Sequence, residues 1–216
     1  MNRVPLRAAL VASLIALQAA AADDPPIVED FEKWESGPVP EALMVIEGEW
    51  AVVAETPQNK VLELRAEPVV DGIVLVGPSL KESAAVRAHI KGAKSRRAFP
   101  RLGVGLFGVS GIKARVVPAQ RKVELLVGDD VVAEAAFDSW TEDAWWVVEL
   151  KVVETRGSWS AEARVWKAGG QAPATPTIRT SLDSAPGQGR ASLLGSPYAN
   201  KPIHFDEVRV GSGKGE

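Results

Sequence analysis

The sequence predicts an all-β protein folded as a two-sheet antiparallel sandwich, and three observations lead to that expectation. The apolar segments after residue 26 are short and rich in Val, Leu, Ile and Ala; Gly, Pro, Asp, Asn or Ser separates them; and none shows the periodicity of a long helix. Strands are predicted over 27–31, 49–55, 60–67, 72–76, 84–91, 102–107, 112–117 and 122–127, and again over 131–137, 145–154, 159–167, 177–182, 190–194 and 203–210. Short strands in that number fill two stacked sheets that share one core.

Two hairpins are readable locally. Gly128, Asp129 and Asp130 lie between VELLV and VVAEAAF, and Arg156, Gly157 and Ser158 join WWVVELKVVE to WSAEARVWK. Gly and Asp accept the positive φ that tight hairpin turns require. In the second hairpin Trp146, Val148, Leu150 and Val152 share one face with Trp159, Ala161, Ala163 and Val165 of the return strand, while Glu149, Lys151, Glu162 and Arg164 take the other. Such alternation sets one face on a core and one toward water. Of the seven tryptophans, it assigns Trp50, Trp146 and Trp159 to the core and leaves Trp145 and Trp166 facing outward.

The N-terminus reads as a secretory signal over 1–22: Arg3 and Arg7, an apolar run from Ala8 to Leu17, and small residues up to Ala22, with Ala20 and Ala22 satisfying the cleavage rule. The run is about half the roughly 20 residues that span a bilayer, and the acidic, proline-containing stretch Asp23–Pro26 follows it. The expectation is an exported chain, periplasmic or extracellular, with one sandwich domain over 23–216 and no transmembrane segment. There is no cysteine, so the fold has to rest on buried apolar area. Losing the two leader arginines takes the net charge from −3 to −5, which argues against nucleic acid as a partner.

Several segments have a recognisable order. EDFE (29–32), GEWAVV (48–53), KVLEL (60–64), WWVVELKV (145–152), EARVW (162–166) and FDEVRV (205–210) resemble the packing strands of the concanavalin A-like jelly-roll superfamily, and within it secreted laminin-G-like and 3-keto-disaccharide hydrolase-like domains. The resemblance implies a jelly-roll sandwich with adjacent first and last strands and a glycan on one sheet face. It names no catalytic residue.

Catalytic signatures are sparse. Glucanases of that superfamily carry E-x-D-x-x-E on one strand, and no Glu here has Asp two positions later. The acid pairs Glu29–Asp30, Glu142–Asp143 and Asp206–Glu207 are chain neighbours, which a regular strand points to opposite faces. Only His89 and His204 are available for imidazole chemistry; His204 shares a face with Asp206, but no Ser or Cys nucleophile accompanies them. These readings favour a non-catalytic carbohydrate-binding or envelope-interaction domain over the alternative, a glycoside-processing enzyme similar to the 3-keto-disaccharide hydrolases. No cofactor is expected beyond a structural calcium, for which Asp30 and Asp206 are candidates if the terminal strands lie side by side.

Charge distribution suggests where a ligand would sit. From Ser83 to Val123 there is no Asp or Glu but ten Lys and Arg. Alternation groups Arg87, His89 and Lys91 on one strand face and Lys113 with Arg115 on another, while the strand between them turns Arg101, Gly103, Gly105 and Phe107 outward. If the three strands are neighbours, the glycines form a low floor between basic rims that suits an anionic polysaccharide, with Phe107 stacking on a sugar. Export itself has a direct check: intact-mass measurement of the exported protein should find Asp23 at its N-terminus, and a mass retaining 1–22 would refute the leader.

Overall fold

The computed structural model describes residues 27–66 and 71–213; the expected leader and Asp23 lie outside the described residues. Two antiparallel sheets pack face to face. The nine-stranded sheet contains β1 (Ile27–Glu29), β2 (Gly37–Pro38), β4 (Trp50–Thr56), β5 (Asn59–Leu64), β7 (Ala84–Gly92), β12 (Trp145–Thr155), β13 (Ser158–Lys167), β14 (Ile178–Leu182) and β16 (Ile203–Ser212). The seven-stranded sheet contains β3 (Met44–Glu47), β6 (Gly72–Leu80), β8 (Arg101–Leu106), β9 (Ile112–Val117), β10 (Lys122–Val127), β11 (Asp130–Ala136) and β15 (Gly189–Ser196). Its order is β11-β10-β9-β8-β15-β6-β3; the larger sheet runs β14-β13-β12-β7-β16-β5-β4-β2, with β1 also on β16.

All fourteen predicted strands are present, and alternation sets their faces. Trp146, Val148, Leu150 and Val152 face the core beside Ala161, Ala163 and Val165; Glu149 pairs across the ladder with Arg164, and Lys151 with Glu162. Arg156 and Gly157 at the tip have φ of 53° and 81°, the two left-handed residues that a two-residue hairpin of this twist needs. The core joins both sheets through Val86, Ala88 and Ile90 of β7, Leu102, Val104 and Leu106 of β8, and Phe205 and Val208 of β16. The chain crosses between sheets often, and one crossing follows β7.

That crossing corrects the expected ligand floor. β7 belongs to the nine-stranded sheet and β8 and β9 to the other, so the basic strand of Arg87, His89 and Lys91 is not a neighbour of the glycine strand. Phe107 is also placed differently: with φ of 66° it leaves the strand's alternation and is buried in the core. It cannot stack on a sugar. Two strands went unpredicted, the two-residue β2 and the exposed edge strand β3, whose MVIE has no alternation to show.

Because Phe107 is core, Phe107→Ala should destabilise the fold by about 3–5 kcal/mol, the usual cost of emptying a buried aromatic position. Chemical denaturation measures it; an unchanged midpoint would contradict this placement.

Candidate functional site

The residues that sequence reasoning joined into one basic surface divide between two faces. On the seven-stranded sheet, Lys113 is buried and its Nζ lies 3.1 Å from Asp129. Arg115 donates two hydrogen bonds to Glu124, at 2.8 and 3.0 Å, and Lys122 pairs with the same carboxylate at 2.8 Å. Burial pushes the Glu124 carboxyl up, but the hydrogen bonds from Lys122 and Arg115 outweigh it and hold the group below the usual range. Arg101 lies over the Tyr198 ring at 5.2 Å. The glycines leave no open floor: a Cβ at Gly103 would overlap the Ala114 carbonyl oxygen, and one at Gly105 the Ser192 hydroxyl. They are glycines because neighbouring strands approach closely. Half of the proposed basic rim is therefore already neutralised by its own sheet.

The other half is on the outer face of the nine-stranded sheet, in different company. β7 presents Arg87, His89 and Lys91 there, half-buried, with Val86, Ala88 and Ile90 beneath in the core. Trp145 of β12 is opposite Lys91, and Trp166 of β13 is opposite Val147, which is itself opposite His89. Both indoles are half-buried on this outer face, so the outward pair expected from alternation is in place. Lys91 Nζ lies 5.0 Å from the Trp145 ring centroid and also pairs with Glu55 of β4. Among the described residues no carboxylate forms an ion pair with Arg87.

β16 supplies the rest. Its first residues pair with β5 (His204 with Glu63, Phe205 with Leu62), whereas Val208, Arg209 and Val210 pair with β1. Where the neighbour changes, the strand bulges: Asp206 is opposite His89, the next ladder partner is Arg209 with Arg87, and Glu207 between them has φ of 47°. Phe205 and Val208 both point into the core, so Asp206 and Glu207 both face outward. This overturns the sequence-based reading that these adjacent acids take opposite faces. A bulge adds a residue and breaks the period of two.

Asp206 is buried and accepts hydrogen bonds from the Asn59 amide at 3.3 Å and the Glu207 backbone N–H at 2.7 Å. Asn59 also donates to Glu55 at 3.2 Å. Burial pushes the Asp206 carboxyl up to about 6 against those hydrogen bonds, and the Glu207 and Glu32 charges add to the rise. Burial holds the His89 imidazole below its usual value; Glu207 opposes this, and Arg87 and Arg209 reinforce it. His204 Nε2 is 3.0 Å from Glu63, so the second histidine is held by a carboxylate on the next strand. Trp145, Lys91, Glu55, Asn59, Asp206 and His89 thus form a contiguous polar and aromatic strip that sequence reasoning saw only in part.

The calcium pair does not fit. The terminal strands are adjacent as expected, but Asp30 is exposed beyond β1 and caps the Glu32 N–H at 3.2 Å, while Asp206 is committed to Asn59 and Glu207. Among the described residues no three His, Asp or Glu are grouped to hold a metal, and calcium takes six to eight oxygens. Two acids of the EDFE segment have structural tasks: Glu29 accepts from Phe31 N–H and Trp34 Nε1–H, each at 3.0 Å, and Glu32 accepts from the Lys60 N–H at 2.7 Å.

Two clefts open at sheet edges. One, of about 490 Å³, lies beside β2 and β3 and is lined by Pro38, Val45, Trp50 and Arg65; the other, of about 750 Å³, separates β11 from β14 and the 183–187 loop. Neither contains a residue of the strip. A shallow indole platform needs no deep cavity to hold a sugar ring.

The architecture has well-populated company. Lectin II from Ulex europaeus superposes with a TM-score of 0.57 at 11% identity, over 88% of this chain and 99% of that one. This is the concanavalin A-like jelly roll. The carbohydrate-binding module CBM66 from Bacillus subtilis aligns over 79% of this chain and 96% of its own, with a TM-score of 0.54 and 13% identity. The Emp47p carbohydrate recognition domain gives 0.55 at 10% identity, covering 86% and 94%. No protein-family model and no curated protein matches the chain. At these identities the jelly-roll likeness is one of fold.

The buried carboxyl makes stability depend on pH. Unfolded, Asp206 titrates near its ordinary value of about 4, and in the fold near about 6. Its stabilising contribution is therefore full below pH ~4 and is lost as pH rises through ~6. Asp206→Asn should gain on the parent protein by roughly 1–2 kcal/mol between pH 4 and pH 8, allowing for solvent screening. Parallel denaturant titrations at the two pH values test this; a difference that does not change with pH would contradict it.

Proposed function

We propose that the protein is an exported glycan-binding protein that holds a polysaccharide chain across the outer face of its nine-stranded sheet. The observation that carries this reading is the outward pair Trp145 and Trp166 beside a strip of polar side chains held by their neighbours. Sugar C–H groups pack on indole faces, and hydroxyls find donors and acceptors in His89, Asn59, Asp206 and Glu55 without side chains having to be reordered. Carbohydrate-binding structures sharing the fold support the same ligand class. Export rests on the leader-like residues 1–22.

The preference for acidic polysaccharide is relocated and narrowed. Lys113, Arg115 and Lys122 spend their charge on Asp129 and Glu124, whereas Arg87 is opposite Arg209 and, among the described residues, pairs with no carboxylate. A uronate carboxylate on an otherwise neutral chain suits that position, because a guanidinium takes a carboxylate in a bidentate manner.

Trp145→Ala and Trp166→Ala should each weaken binding to the best oligosaccharide on a glycan array by about tenfold or more, a loss of ~1.4 kcal/mol or greater. Lys113→Glu should leave binding within about twofold, and Arg87→Ala should selectively weaken uronate-containing glycans. Isothermal titration decides the matter. Binding that survives both tryptophan substitutions but fails with Lys113→Glu would move the site to the other sheet.

A further inference from the structure

Two arginines of the acid-free run, Arg96 and Arg97, have no place on either sheet face: they form the tip of the connection between β7 and β8. We infer that they hold a second acidic group of the glycan chain that passes Arg87, so that the ligand is a heteropolysaccharide whose acidic units are separated by neutral sugars. The inference rests on the glycan-binding reading above.

The turn is firmly held. Ser95 and Ala98 exchange both backbone hydrogen bonds, at 3.0 and 2.9 Å, and leave Arg96 and Arg97 exposed between them. Arg96 has φ of 55°, in the left-handed region that favours glycine. A guanidinium stands there instead, and among the described residues no carboxylate forms an ion pair with it or with Arg97. Two acids of the adjoining β11–β12 connection are engaged elsewhere: Glu142 lies 3.2 Å from Lys94, and the Asp143 charge acts on Lys91. Phe99, just past the tip, packs on Trp140 with 6.1 Å between ring centroids.

Register sets the turn at the end of the indole platform. Trp145 begins β12 opposite Lys91, one residue before β7 ends, and the Asp143 N–H donates to the Gly92 carbonyl at 3.2 Å. Arg87 lies on the same strand, about 17 Å back from Gly92 at the usual rise per residue. A chain that follows β7 past Trp145 therefore has Arg87 at one end of its path and the Arg96–Arg97 tip at the other.

Between those ends the face is acidic. Glu63, Asp206 and Glu207 are turned outward on β5 and β16, at ladder levels between Arg87 and Gly92, and Lys91 in the same stretch already pairs with Glu55. A uronate over these carboxylates meets like charge, whereas a neutral sugar does not. The chain that fits is neutral over the centre, with acidic groups more than about 17 Å apart. Each is then free to meet a guanidinium in a bidentate manner.

The test titrates the full chain by calorimetry with gellan fragments of one and of three repeating units, each unit carrying a single glucuronate among neutral sugars, and with xylohexaose and cellohexaose. The shorter fragment offers its one carboxylate to Arg87 or to the turn, never to both. The longer should bind the parent protein at least about tenfold more tightly, because its second uronate is captured as an intramolecular event. The double variant Arg96→Gly, Arg97→Ser keeps the turn, since glycine accepts the positive φ. It should cut the preference to the roughly threefold that three equivalent units give by number alone, and flatten the salt dependence of the longer fragment. Arg97→Glu, which leaves the left-handed position untouched, should do the same, and matching thermal melts establish that both variants are folded. A preference that both variants leave unchanged overturns the inference, as does failure of both gellan fragments to bind. Binding of any of the four ligands that is lost in Trp145→Ala leaves the glycan-binding reading intact; absence of binding to all four overturns both.

Discussion

The outer face of the nine-stranded sheet depends on the way β16 is shared. One side of the strand runs along β7, while its other side is taken first by β5 and then by β1. A strand that changes neighbours part-way cannot hold an even ladder on both sides, and the extra residue at the bulge takes up the mismatch. Phe205 and Val208 fix the inward register on either side of it. Asp206 and Glu207 are turned out as a consequence, and Asn59 reaches into the space where no backbone partner stands. Removing the bulge would shift register along β16 and send every later side chain to the wrong face.

The two outer faces use charge differently. On the seven-stranded sheet Lys113, Arg115 and Lys122 meet Asp129, Glu124 and Glu134 within hydrogen-bonding distance, and a Cβ at Gly103 would overlap the Ala114 carbonyl oxygen of the next strand. That face is closed. On the nine-stranded sheet Arg164 pairs with Glu149 and Glu162, Arg179 with Glu162, Lys91 with Glu55 and Arg209 with Glu207, while Asp206 is a buried carboxyl, burial holds the His89 imidazole below its usual value, and among the described residues no carboxylate forms an ion pair with Arg87. A carboxyl held up near 6 costs stability whenever it ionises, and proteins accept such costs where function asks for them.

Strand identity and face were legible because alternation is a local property. The burial of Trp146 and the outward setting of Trp145 and Trp166 follow from counting by twos, and the β12–β13 turn follows from Arg156–Gly157. Which sheet each strand joins is not local. The acid-free run from Ser83 to Val123 crosses from one sheet to the other, so residues contiguous in sequence pair with acids from separate parts of the chain, Lys91 with Glu55, Lys94 with Glu142 and Arg115 with Glu124. Phe107 and Glu207 escaped for a related reason. Each is a non-glycine residue with positive φ, no Gly or Pro stands at the bulge to announce it, and a count by twos fails at such a position.

The account's central claim is that ligand chemistry belongs to the outer face of the nine-stranded sheet. The most direct measurement is an amide and indole chemical-shift titration of the protein with the oligosaccharide it binds most tightly. The account predicts the largest shifts at the Trp145 and Trp166 indoles and at the backbone of His89, Asn59 and Asp206, with Gly103, Gly105 and Lys113 unmoved. Shifts confined to β8 and β9, or to the 183–187 loop beside β11 and β14, would contradict it.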